Sequence, residues 1–277
     1  MSSLEKALDI LALLSRNRPV LRVAEAGRQT KLPKSSVSRL LQAMGRVGLL
    51  ERTVNGGYVV GPLSLRLAEL YRGQHSLLVW IDGALERLVE EFGFTGYAAS
   101  LFGTEIVLLR VRQGAYPLRY VREIGARLSA VSTVMGRALL ARLNEADLRA
   151  QLGDGPEDSE HAALRERLDQ VRRERVAVAP SEFAEGITTL GCAFAANGES
   201  PIAMALAFPD SAVDAARRET MLAAIWREAH EVGREAGDPE WADPNATASG
   251  SIRNFVCGGT LGLKGPCHAP LQSPCDC

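Results

Sequence analysis

Chemistry-bearing residues are scarce in this chain. Of its five cysteines only Cys192 precedes residue 257, so the body of the protein has neither a disulfide framework nor a cysteine-rich metal site. The four histidines, His75, His161, His230 and His268, are scattered, and no HExxH, GxSxG, Ser-His-Asp order or phosphate-cradling glycine loop occurs. No catalytic residue, metal or cofactor is therefore expected. Cys192 lies in an apolar run, where a thiol is usually a small core residue. An enzyme or thiol redox sensor using Cys192 is the competing class. No apolar run approaches a membrane span and no signal-peptide pattern opens the chain, which points to a cytoplasmic protein with no membrane partner.

Net charge is also nearly absent, at a formal -1, but it is unevenly spread. Residues 1–75 hold 12 Lys+Arg against 5 Asp+Glu, and the remainder holds 20 against 28. A basic block on an acidic remainder is the layout of a DNA reader joined to something that does not touch DNA. The chain, at 277 residues and 46% hydrophobic, is long enough for two cores.

The most informative stretch of the basic block is Leu32 to Met44. It reads as a helix with Ser35 free to cap its first turn and no glycine until Gly45. Val37, Leu40, Leu41 and Met44 recur at helical spacing and face a core, leaving Lys34, Ser35, Ser36, Ser38, Arg39 and Gln42 outside. Cations reach phosphates and guanine edges, glutamine pairs with adenine, and short hydroxyls let the backbone approach, so this face suits a DNA groove. Arg46 and Arg52 are further candidates for phosphate contacts. Before this stretch come helical segments at Leu4–Leu14, with Leu4, Leu8, Leu11 and Leu14 as its apolar stripe, and at Val23–Thr30. After it, Glu51–Val60 reads as a hairpin around Asn55-Gly56-Gly57. Helices followed by a two-stranded ribbon make a winged helix-turn-helix.

From Leu4 to Leu67 the chain resembles the DNA-binding domain of the IclR family of bacterial transcription regulators. The resemblance rests on Leu32-Pro33-Lys34-Ser35-Ser36, on Arg39-Leu40-Leu41 and on Tyr58-Val59-Val60-Gly61. Three positions depart from the family's pattern: Arg22 stands where a hydroxyl cap is usual, Gly27 where alanine is usual, and Lys31 where the turn carries glycine. Gly27 should cost about 1 kcal/mol of helix propensity relative to alanine. Lys31 in a left-handed turn would be strained, so a differently built turn is expected.

Gly61-Pro62 separates the wing from a leucine-crowded helix, Leu63–Tyr71, and a long amphipathic helix follows at Leu77–Phe92. Strands are expected at Gly96–Leu101, Glu105–Arg112, Leu118–Arg122, Thr188–Phe194 and Ile202–Phe208. Helices are expected at Ser132–Leu143, Glu145–Leu152, His161–Glu174 (a charged surface helix) and Ser211–Ala236. The second region is thus an α+β sheet domain. It resembles the GAF-like effector-binding domain of the same family in Gly136-Arg137-Ala138-Leu139-Leu140-Ala141 and in Glu185-Gly186-Ile187-Thr188-Thr189-Leu190. The resemblance implies an effector pocket lined by Tyr120, Leu128, Val134, Met135, Ala179, Ile187, Thr189, Ala205 and Ala207. With only the Tyr120 and Thr189 hydroxyls and backbone N–H groups as anchors, such a pocket selects a mostly apolar effector, aromatic compounds among the candidates.

The parts expected are a winged helix-turn-helix over residues 1–61, a linker helix over 62–76, a GAF-like antiparallel sheet domain flanked by helices over 77–237, and a disordered tail over 238–277. The tail carries Cys257, Cys267, Cys275 and Cys277 at spacings that match no standard zinc site. The partners expected are a double-stranded, pseudo-palindromic DNA operator, a small-molecule effector and a second copy of the chain, as a dimer or a dimer of dimers. A constitutive DNA-binding protein without an effector is the further alternative.

Overall fold

The computed structural model describes residues 2–116, 122–153, 159–180 and 185–242. The chain divides into two compact units, residues 1–79 and 80–277.

In the first unit α1 (Ser3–Leu11), α2 (Val23–Thr30) and α3 (Lys34–Arg46) precede β1 (Leu50–Arg52), β2 (Tyr58–Val60) and α4 (Pro62–Gln74). Its core joins Ile10, Leu21, Ala26, Val37, Leu41, Met44, Leu50 and Tyr58. The apolar face of α1 differs from the one expected. Ile10 is fully buried and Ala7, Leu11 and Leu14 pack beside it, while Leu4 and Leu8 are 69% and 54% exposed. Leucine spacing alone picked a stripe rotated around the helix, by about a sixth of a turn, from the one that Ile10 completes.

The turn between α2 and α3 adopts the left-handed geometry that its sequence argues against. Lys31 has φ 55° and ψ 26°, a conformation that costs an L-residue about 1 kcal/mol or more. The same turn explains Gly27. A Cβ there would lie 3.2 Å from the Leu32 carbonyl oxygen, so the helix gives up propensity to let the turn approach. Ser35 does not cap α3: Pro33 occupies the cap position without a side-chain hydrogen bond, and Ser35 lies exposed within the helix. Proline's fixed φ starts the helix without needing a hydroxyl.

The wing is antiparallel, with Leu50 opposite Val60 and Arg52 opposite Tyr58. Its turn is closed by the Thr53 amide on the Gly57 carbonyl (2.9 Å) and by the Gly57 amide on Thr53 Oγ1 (3.0 Å). Leu21 adds a bridge to Tyr58. No residue of α4 is buried, and Leu65, Leu67, Leu70 and Tyr71 are exposed.

The second unit takes up α5 (Ser76–Phe92), within which the division of the chain falls, then β3 (Thr95–Phe102), β4 (Glu105–Arg112), β5 (Arg127–Ser129), α6 (Val134–Ala141), α7 (Glu145–Leu152), α8 (Ser159–Glu174), β6 (Ala177–Ala179), β7 (Ile187–Phe194), β8 (Ile202–Pro209) and α9 (Ala215–Ala236). Six strands form one antiparallel sheet in the order β5-β4-β3-β8-β7-β6. Period-two alternation gives β7 and β8 one face of Thr189, Gly191, Ala193, Ala203, Ala205 and Ala207, and an opposite face of Leu190, Cys192, Phe194, Met204, Leu206 and Phe208. The small-residue face receives α6, whose Val134, Met135 and Ala138 join Tyr97, Ala193, Ala203, Ala205 and Ala207 in one buried cluster. On α5, Leu85 and Val89 approach Gly96 of β3. Helices α5 and α9 are tied by Arg87 Nε to Glu228 (2.8 Å) and by Arg227 to Glu91 (2.8 Å).

Several expectations for this unit need correction. Residues 118–121 of the expected strand Leu118–Arg122 lie outside the described residues, Arg122 is not in a strand, and the edge strand is Arg127–Ser129 instead. Three-residue strands such as β5 and β6 carry too little periodicity to be read without their partners. Helix α8 is not wholly a surface helix, since Leu168, Val171 and Glu174 are buried.

The chain also stays ordered beyond residue 237. Asp238 and Trp241 are each 2% exposed, in a 3-10 turn over Pro239–Trp241. Trp241 stacks near Phe194, Trp226 and His230, and its indole N–H donates to the Ala193 carbonyl (3.1 Å). The proline and glycine that end the helical period at this point redirect the chain onto the sheet. Cys257, Cys267, Cys275, Cys277 and His268 lie outside the described residues.

Candidate functional site

Two sites emerge, one in each unit. In the first, α3 is divided by burial. Val37, Leu41 and Met44 are in the core, whereas Lys34, Ser35, Arg39, Gln42 and Arg46 are exposed and Ser36 and Ser38 half-buried. Arg52 is exposed on the wing. Gln42 Nε2 donates to Ser38 Oγ at 3.1 Å one turn back, which aligns both polar groups along the outer face. The structure brings Gln42, Arg46 and Arg52 to one cleft between the last turns of α3 and the wing, lined also by Glu51, Tyr58 and Pro62. All eight candidate residues are thus on α3 or the wing and none is sequestered in the core.

In the second unit, strand register places most of the expected pocket residues together. Thr189 of β7 stands opposite Ala207 of β8 and Ala179 of β6. One step along, Gly191 stands opposite Ala205, which in turn faces Tyr97 of β3. From α6, Val134 reaches down to Gly191: a Cβ on that glycine would sit 2.9 Å from Val134 Cγ1 and 2.7 Å from the Met204 carbonyl oxygen. Glycine at 191 therefore sets how closely α6 approaches the sheet. Thr133 caps α6 by accepting from the Gly136 amide (3.2 Å), and Arg172 of α8 donates to the Ala141 carbonyl (3.0 Å), so both helix ends are held. Val134, Met135, Ala205 and Ala207 are buried in this cluster, with Leu128, Ala179 and Ile187 partly buried against it. Tyr120 lies outside the described residues.

Thr189 is fully buried, yet its Oγ1 has no hydrogen-bond partner among the described residues. Tyr97, absent from the residues expected from sequence, belongs to the same cluster and is 2% exposed. Burial pushes its phenol up to about 12, with the Arg122 charge opposing, so it stays protonated. Its strand, Gly96–Leu101, reads as ordinary core, and only the pairing with Ala205 brings Tyr97 beside this site. Cys192 faces the other way, toward the large-residue face, and is fully buried. Burial drives its thiol far above the ordinary range, the reverse of what a nucleophile or redox sensor needs. A separate cleft of about 720 Å³ is lined by Arg227, His230, Arg234 and Trp241 and includes none of the expected effector residues.

Comparison with known proteins accords with both halves. Residues 3–53 match the IclR helix-turn-helix domain, and residues 71–234 match the bacterial transcriptional regulator IclR C-terminal domain. Over 196 residues, 69% of this chain and 73% of the relative, it is 30% identical to the HTH-type transcriptional regulator TtgV of Pseudomonas putida. Among solved structures, an IclR homologue from Microbacterium hydrocarbonoxydans, complexed with 4-hydroxybenzoate, superposes with a TM-score of 0.71 at 21% identity, covering 85% of this chain and 99% of that one. An IclR transcriptional regulator from Silicibacter sp. superposes with a TM-score of 0.68 at 22% identity, covering 87% and 100%. At these identities the superpositions speak for the fold, and the two domain matches, in order along one chain, carry the assignment. A winged helix-turn-helix followed by an effector-binding α+β domain, matched in both parts, places this chain in the IclR family of transcription regulators.

Proposed function

We propose that the chain is a ligand-responsive regulator that binds a pseudo-palindromic operator as a dimer or dimer of dimers, in the cytoplasm, and whose DNA affinity or output a small, mostly apolar aromatic effector changes. The functional parts run over residues 1–61 for operator binding, 62–76 for the link and 77–242 for the effector domain. Lys34, Ser35, Ser36, Ser38, Arg39 and Gln42 enter the major groove, and Arg46 and Arg52 hold the flanking backbone. A single winged helix reads only a half-site, so specificity calls for two copies. The exposed Leu65, Leu67 and Leu70 of α4 support self-association there, because together they leave an apolar stripe open to solvent on a helix with no buried residue.

The observation that carries the effector half is the Thr189 hydroxyl, buried without a hydrogen-bond partner among the described residues amid an alanine-rich apolar cluster. Such a group costs about 1–3 kcal/mol until something bonds to it. Leu128, Val134, Met135, Ala179, Ile187, Ala205 and Ala207 surround an apolar guest, with Tyr120 a further anchor. The 4-hydroxybenzoate bound by the Microbacterium relative suggests the class.

The test begins with a thermal-shift screen of aromatic acids and phenols, since a ligand that binds only the native state raises its melting temperature. A hit is then titrated against an operator selected from random duplexes. The effector should shift DNA affinity by roughly 5–150-fold, the usual range for coupled sites, and DNA must shift effector affinity by the same factor. Met135→Trp, which fills the pocket, should abolish the response and leave DNA affinity within about tenfold. A tryptophan variant that still responds fully would place the effector elsewhere.

A further inference from the structure

On the α6-facing side of the central strands, hydroxyls stand on both flanks of β8: Thr189 of β7 on one, and Thr95, across Ala207 from Thr189, with Tyr97, diagonally across Ala205, on the other. Of the two on β3, Tyr97 belongs to the buried cluster with α6. Strand spacing near 4.8 Å puts β7 and β3 about 10 Å apart with β8 between them. On that face of the intervening strand the side chains are the methyl groups of Ala203, Ala205 and Ala207, of which Ala205 and Ala207 lie between Thr189 and Tyr97. The result is a flat shelf with a hydroxyl toward each end, while Val134 closes down onto Gly191 at its side. Thr189 is fully buried and its Oγ1 has no hydrogen-bond partner among the described residues, so one end of the shelf carries an unsatisfied polar group. On the flank opposite, Tyr97 carries a phenol that stays protonated and is able both to donate and to accept.

We propose that Tyr97 is the specificity-determining residue of the effector pocket: across the Ala205–Ala207 shelf from Thr189, it selects a flat aromatic ring bearing a hydrogen-bonding group at each end over a ring with one such group. The inference rests on the pocket beneath α6 being the effector site, and it names a residue and a substitution pattern that this reading alone does not. Planarity follows from the shelf, because a ring lies on two methyl groups where a branched aliphatic chain would need depth. Two-ended polarity follows from the hydroxyls, because a site built to hydrogen-bond both ends leaves a buried group unpaired when the ligand lacks one of them.

The test uses the full chain and two probe pairs, 4-hydroxybenzoate with benzoate and hydroquinone with phenol, titrated by calorimetry. Wild-type protein should prefer the two-ended member of each pair by about tenfold, the effect of one neutral hydrogen bond near the upper end of its usual range. Tyr97→Phe keeps the ring and should bring both ratios to within about twofold. Thr189→Val should weaken all four probes. Circular dichroism and melting temperature identify any variant that fails to fold, and the wild-type ratios stand without either variant. Preference ratios near one in the wild type, or ratios that Tyr97→Phe leaves unchanged while Thr189→Val weakens every probe, keep the pocket and overturn the role of Tyr97. Failure of all four probes to bind wild-type protein at millimolar concentration overturns the pocket reading, and this inference with it.

Discussion

Replacing Asp238 by alanine tests whether the segment after α9 is part of the effector domain. Its carboxylate is fully buried and accepts three hydrogen bonds: from Arg142 Nη2 (2.8 Å), from the Ala195 amide (2.8 Å) and from the Glu240 amide (3.1 Å). One side chain therefore joins the end of α6, the end of β7 and the 3-10 turn over Pro239–Trp241. Arg142, only 10% exposed, would lose its buried partner and keep Glu240, whose carboxylate is half-exposed. Removing one member of a buried pair costs about 3–5 kcal/mol, and the surviving Glu240 contact argues for the lower end. In a domain of this size each kcal/mol moves the melting temperature by about 2–4 °C, so a fall of roughly 6–12 °C is expected. Asp238→Asn retains an acceptor and loses the charge, and should fall about half as far. Differential scanning calorimetry of the full chain reads both values on the transition of the second unit. A fall below about 2 °C for the alanine variant would show that the contacts around Asp238 carry no stability and that the domain ends at α9.

Four further outcomes follow from other parts of the chain. Arg39→Ala should weaken specific operator binding by about 1–3 kcal/mol if it reads a base, whereas Lys34→Ala should weaken all sequences alike and lower the salt slope by about one; anisotropy titrations in which neither variant changes would exclude α3 from the groove. Cys192 should resist iodoacetamide at pH 8 in the native protein and react only after denaturation, read by mass spectrometry of its peptide; rapid native labelling would revive the redox reading. Leu67→Glu on the exposed side of α4 should shift light-scattering mass toward the monomer at micromolar concentration, and an unchanged mass would move the interface elsewhere. Burial raises the Tyr97 phenol from 10 to about 12, so the unfolded chain loses this proton first and stability should fall as pH rises from about 10 to 12; a Tyr97→Phe variant should lack that component of the fall in melting temperature.

Local signals determined much of this protein from sequence alone. Val37, Leu41 and Met44 at helical spacing define the inner face of α3, and the polar residues between them then have nowhere to go but outward. Asn55-Gly56 announces the wing, and an aliphatic alternation announces β4 over the same residues the structure shows, Glu105–Arg112. Motif order along the chain was enough to identify the family. What sequence could not decide were matters settled by partners far away in the chain. Lys31 is held left-handed because α2 and α3 must pack, with Gly27 yielding the space, and a propensity argument sees only the local cost. The three-residue strands β5 and β6 exist through their pairing with β4 and β7 and have no period of their own. Pro239 and Gly237 look like the end of a fold, yet Asp238 and Trp241 beside them are drawn back by Arg142, Ala193 and Ala195. Tyr97 becomes a neighbour of the effector site only through register, because a strand's alternation says which residues share a face but not which strand lies next to it.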